Sequence, residues 1–169
     1  MGLEQAYGEK IQFLELSAAA RERLLARSDG PHVSEEGYVE FLKRYEAALF
    51  AQGKLDDVSE DMDLDAREDM EWIRDDGFLA FAHMERACER IVIEVAIALA
   101  RPNTNLEDLF SLGCIVASPF LQRWDYTKDI SFASNFRLKV HEILDAYILQ
   151  TPLYAYLLSE FIEEEEEEE

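Results

Sequence analysis

Histidines and carboxylates at helical spacing are the groups in this chain with chemistry to offer. At about 100° per residue, Asp76, His83, Arg90 and Glu94 fall on one narrow face of a long helical segment, with Phe81, Cys88 and Val92 opposite. Such a polar seam can bind a ligand or a partner. It is also what the solvent face of a central helix looks like, with Arg90 and Glu94 as an i,i+4 pair. Glu85 is of a different kind, because it projects among Phe78, Phe81 and Val92. A carboxylate among apolar neighbours must find a partner, reach water or hold its proton more tightly. A perturbed carboxylate is a candidate for acid–base work, although Glu89 one turn on also fits a solvated helix edge. His141 and Asp145, four residues apart, could orient an imidazole as a general base. No serine or cysteine nucleophile is recognisably paired with them, and a surface contact explains them as well.

The metal chemistries these residues invite are not completed. A ferritin-like dimetal site needs Glu-x-x-His on two helices. The residues three before His32, His83 and His141 are Asp29, Ala80 and Leu138. Asp61, Asp63 and Asp65 begin like a calcium loop, but Ala66 and Trp72 stand where the loop needs Gly and Glu. Cys88 and Cys114 lack the spacing of a zinc or redox pair and read as small core hydrophobes. No Gly-rich phosphate cradle precedes a helix. We therefore expect no metal, no cofactor and no catalytic residues that can be named, which leaves an enzyme open but disfavoured.

The elements that would position these groups are helical throughout. Leu3, Tyr7, Ile11, Leu14 and Ala18 recur at helical spacing, and Asp29-Gly30-Pro31 stops that helix near Arg27. Ser34 is an N-cap with Glu35 and Glu36 in the first turn. The helix it starts carries Tyr38, Phe41, Leu42, Tyr45, Ala48 and Leu49, ends at Gly53 and pairs with the first in an antiparallel hairpin. A third helix, from near Asp65 to Ala100, has Gly77 as a possible break. A fourth is predicted over 106–118, capped by Thr104 or Asn105, and Ser118-Pro119 reads as a fresh start for a short piece over 120–126. A fifth runs over 131–150. Thr151-Pro152 launches a last helix bearing Tyr154, Leu157, Leu158 and Phe161. No stretch alternates like a strand. The expected fold is an all-α, single-domain helical bundle of five to seven helices over residues 1–162, with an acidic loop at 53–64 and a disordered poly-Glu tail at 163–169.

Charge separates the function classes. The 169 residues carry a net charge of −21. Residues 53–76 hold 11 acids against three bases, and residues 163–169 are seven glutamates. Asp56, Asp57, Glu60, Asp61, Asp63 and Asp65 form the densest patch. This argues against nucleic acid, whose phosphates would be repelled, and for a basic protein partner. No apolar run is long enough to span a bilayer, the N-terminus shows no signal region, and the expected setting is cytoplasmic. The segment from Phe110 to Phe161 holds ten aromatics, which would leave some for an interface. The reading we prefer is a non-catalytic helical interaction or assembly protein that forms homo-oligomers. The alternatives are an acidic mimic or chaperone for a basic protein and an enzyme with a Glu/His cleft.

Overall fold

The computed structural model describes residue 10, residues 17–57 and residues 61–162. Among them the regular structure is all α-helix: α1 (Ala18–Ser28), α2 (Glu35–Asp56), α3 (Leu64–Leu99), α4 (Leu106–Arg123), α5 (Phe132–Ile148) and α6 (Leu153–Ser159). No strand occurs among these residues. Glu60 and the glutamates of 163–169 lie outside them, as do Leu3, Tyr7, Ile11 and Leu14 of the expected first helix.

The helix starts follow capping chemistry. A helix leaves its first amide N–H groups without intrahelical partners, and a short polar side chain can accept from them. Ser34 Oγ accepts from the Gly37 amide at 3.0 Å, as expected for the second helix. Asp63 Oδ1 accepts from Ala66 at 2.8 Å, and Ser131 Oγ from Ser134 at 3.1 Å. Asn105 accepts from Glu107 and Asp108, which settles the choice between it and Thr104. Ser17 also caps, with extended backbone and a bond from the Ala20 amide. A new helix therefore begins at Ala18, inside what the periodicity joined into one.

Several expectations fail for identifiable reasons. Gly53 does not end the second helix, which runs on to Asp56. Glycine in a helix costs about 1 kcal/mol against alanine, and α2 offsets this by burying Ala48 and Ala51. The acidic loop shrinks accordingly, and Asp56 becomes a helical residue that accepts from Gln52 Nε2 at 2.7 Å. Ser118-Pro119 does not start a new helix either, because α4 continues through Pro119 to Arg123. The ring removes the donor to the Ile115 carbonyl. Ile115 lies on the exposed side of α4, where water can replace that bond, while Leu121 is fully buried and holds the following turn. Thr151 caps nothing ahead of it; its amide and hydroxyl both donate to the Ala146 carbonyl and close α5. α6 starts without a side-chain cap and ends before Phe161. Among the described residues α1 packs mainly on α3 and not on α2 in the expected hairpin. Gly30 lies against the α3 backbone, where a Cβ would stand 2.5 Å from the Arg86 carbonyl oxygen.

α3 is the central element and is unbroken. At Gly77 it packs closely against α2: a Cβ there would sit 2.3 Å from the Arg44 carbonyl oxygen and 2.4 Å from Ala48 Cβ. From Gly77 onward α3 is buried on its inner side through Met84, Cys88, Val92, Val95 and Ile97, and before Gly77 it buries no residue. The other half of the core is aromatic. Phe132 lies 4.3 Å from Tyr38 and 5.3 Å from Trp124, centroid to centroid, and Phe120 lies 5.5 Å from Phe136. The aromatics expected to exceed the needs of the core are thus largely consumed by it; of the ten from Phe110 to Phe161, Tyr156 alone is more than half exposed among the described residues.

Candidate functional site

The four residues of the polar seam are each engaged by a different neighbour. Asp76 accepts two bonds from Arg44 of α2, from Nε at 2.8 Å and Nη2 at 2.6 Å. That hydrogen-bonded guanidinium holds the Asp76 carboxyl below the ordinary carboxylate range and raises the Arg44 pKa in turn. Arg44 lies over the Phe41 ring at 5.2 Å, and His83 meets the same ring edge-on at 5.3 Å. Arg90 donates to the Gly30 carbonyl at 3.2 Å. It also lies 3.5 Å from Glu94, whose other oxygen is 2.6 Å from Arg137 of α5. The seam runs along α3 and ties it to α2, to the α1–α2 connection and to α5.

Glu85 is half-buried on the side of α3 that meets α4. Burial raises its pKa, Glu89 adds to the shift, and a hydrogen bond from Ser118 opposes it. Cys88 is fully buried and Cys114 partly so, and both thiols are free. Burial, followed by Glu89, pushes Cys114 up to about 12, against the opposing Arg27, and burial raises Cys88 as well. Both remain protonated thiols at neutral pH and so are poor nucleophiles. His141 is exposed. The structure does not bring it to Glu85 or His83: it is on α5, they are on α3, and the seam's contact with α5 runs through Glu94.

The acidic patch divides between helix ends and water. Asp63 caps α3 and Asp65 sits in its first turn, where the dipole favours an acid. Asp57 closes α2, and Asp61 is exposed. No group of three or more His, Cys, Asp or Glu side chains able to hold a metal occurs among the described residues. No helix among them is long and apolar enough to cross a membrane. An open polar pocket of about 470 Å³ lies between the α3–α4 and α5–α6 turns, lined by Arg101, Asn103, Asp108, Tyr147, Gln150 and Tyr154. A second, of about 360 Å³ between α1 and α4, is lined by Arg23, Leu24, Arg27 and Phe110. Arg27 is drawn to Glu89 at 3.0 Å there. Neither of these pockets is lined by His83, Glu85 or His141.

Two exposed apolar surfaces were missed in reading the sequence for reactive groups. The first is on the outer side of α3. Leu64, Trp72 and Leu79 are 70%, 70% and 71% exposed. With Glu68 and Asp75, also exposed, they recur at spacings of four, four, three and four residues. That spacing keeps them on one helical stripe. The stripe lies opposite Gly77, the side that α2 covers. The second is at the α5–α6 turn, where Leu149, Leu153 and Tyr156 are more than half exposed. Residues 146–159 contain no charged side chain. Both stripes were legible as spacing or composition, but nothing local distinguishes an apolar residue that will be covered from one that will not. No protein-family model matches the chain.

Proposed function

We propose that this chain is a non-catalytic helical interaction protein that assembles with copies of itself through the α5–α6 end. The observation that supports this most is the neutral apolar surface there. In a chain of net charge −21, residues 146–159 carry no charge and still expose Leu149, Leu153 and Tyr156. Two copies meeting elsewhere must overcome repulsion between like charges. At the α5–α6 turn the segment 146–159 adds none of its own, although Asp145, Glu160 and the glutamates of 163–169 border it in sequence, and each leucine removed from water contributes about 1.5–3 kcal/mol. A symmetric dimer uses one patch twice, so a small self-complementary surface suffices to define it.

Light scattering tests this between about 5 and 200 µM chain, a range in which weak association is visible. The expected result is a mass that rises with concentration in the wild type and stays at one chain in Leu153→Asp/Tyr156→Asp. Both positions are exposed, so the double variant should keep its helical circular dichroism. A chain that remains monomeric throughout, or a variant that associates like the wild type, would overturn the reading.

A further inference from the structure

We infer that the outer stripe of α3 is a docking surface for a basic amphipathic helix of another protein. This goes beyond self-assembly, uses a different surface and does not depend on it. From Leu64 to Leu79 the stripe spans 16 helical residues, about 22 Å along the axis. Opposite them about two heptads of a partner helix would present its own apolar seam. Trp72 is the natural anchor, because a flat aromatic side chain offers a large area at small entropic cost. Exposed apolar side chains set one or two turns apart, with Glu68 and Asp75 between them, offer separate anchor points along one face for a partner helix.

The charge on the same helix selects the occupant. Residues 61–79 carry eight acids against two arginines. Both arginines already lie against acids of this segment, Arg67 at 3.5 Å from Glu71 and Arg74 at 2.8 Å from Asp75. Glu68 and Asp75 sit between the apolar positions of the stripe, with Asp65 and Glu71 beside it. A second copy of this surface would bring like charges together across the seam, which is destabilising. A helix flanked by lysine and arginine would set opposite charges against Asp65 and Glu71 at the edges of the stripe, as the e and g positions do in coiled coils, and its long side chains can reach in to Glu68 and Asp75. None of the 13 residues of α3 before Gly77 is buried, and their side away from α2 leaves room for that partner.

The test uses the full chain and a synthetic peptide of about three heptads, with leucine at the a and d positions and lysine at the flanks. Two control peptides replace its lysines by glutamate or its leucines by serine. The basic amphipathic peptide should bind at least about tenfold more tightly than either control and shift tryptophan emission to the blue. Trp72→Ser/Leu79→Ser should weaken it about tenfold with unchanged helical circular dichroism, and removal of 163–169 should leave that difference in place. Charge reversal by Glu68→Lys/Asp75→Lys should transfer the preference to the glutamate peptide. The inference fails if the serine peptide binds as well as the leucine peptide, since attraction is then charge alone. It also fails if the apolar double variant binds normally, if no peptide binds, or if that variant abolishes self-association. Loss of self-association in Leu153→Asp/Tyr156→Asp with normal peptide binding separates the two surfaces.

Discussion

Glu35 does two jobs that its place in the sequence only half reveals. It stands in the first turn of α2, where an acid suits the helix dipole. Its carboxylate also crosses to the start of α5, accepting from the Phe132 amide at 2.8 Å, the Ser131 hydroxyl at 2.7 Å and the Ala133 amide at 3.3 Å. One side chain thus serves two helix N-termini, and Glu35→Ala should cost about 1–2 kcal/mol in urea denaturation, with Glu35→Gln recovering part. Asp76 and Glu85, nine residues apart on α3, should titrate with opposite effect. Asp76 has a depressed pKa in the fold, so its contribution is present above the ordinary carboxylate range and disappears as pH falls through the folded value. Glu85 has a raised pKa, so the folded state holds its proton more tightly and stability falls as pH rises through the window above the ordinary value. Glu85→Gln should therefore raise the melting temperature at neutral pH and leave it unchanged in acid. Asp76→Asn should lower it at neutral pH and do little in acid. Melting curves at pH 3 and pH 7 check both signs.

The α2–α3 pair shows how one residue type sets the distance between elements. Alanine at position 77 would gain about 1 kcal/mol of helix propensity. Its Cβ, however, would stand 2.3 Å from a backbone oxygen of α2, which cannot move as a flexible side chain can. The packing penalty should win: Gly77→Ala is expected to destabilise the fold by about 1–3 kcal/mol, measured by chemical denaturation. A net gain in stability would show that α2 can slide away at little cost. The contrast with Gly53 is instructive. No atom lies within 4 Å of a Cβ built there, so Gly53→Ala should stabilise α2 by up to about 1 kcal/mol. Two helical glycines are thus expected to respond to the same substitution with opposite sign, for reasons that lie in the neighbour and not in the helix.

Across the whole molecule the dominant long-range term is charge. A net −21 opposes compaction through self-repulsion, while the interior is held by burial around α3 and by the aromatic cluster. Salt screens exposed charges over about 8–10 Å at 0.1–0.15 M. Raising salt from low to physiological strength should therefore stabilise the fold by about 1 kcal/mol, or about 2–4 °C for a chain of this size. A melting temperature that falls with salt would mean that surface pairs such as Arg137–Glu94 outweigh the repulsion. The same charge divides the surface, with acids along the outer half of α3 and a neutral apolar end at α5–α6. The proposed contacts with a basic helix and with a second copy take up one region each.

Helical periodicity, Ser and Asn caps and the absence of alternating stretches were enough to read an all-α chain and to place the starts of α2, α3, α4 and α5, because those signals act within a few residues. Where α2 and α4 end was not legible, since Gly53 and Pro119 are local breakers that burial of Ala51 and Leu121 overrules. Asp76, His83, Arg90 and Glu94 of the polar seam all lie on α3. Which helix each member would reach depends on how the chain returns past it, and Arg44, Gly30 and Arg137 are 32, 60 and 43 residues away from their partners. The exposed stripe of Leu64, Trp72 and Leu79 has the spacing of a buried one, and only the position of α2 on the opposite side leaves it facing water. Local backbone chemistry is written in neighbouring residues, whereas exposure is a property of what else arrives, and that is settled by packing.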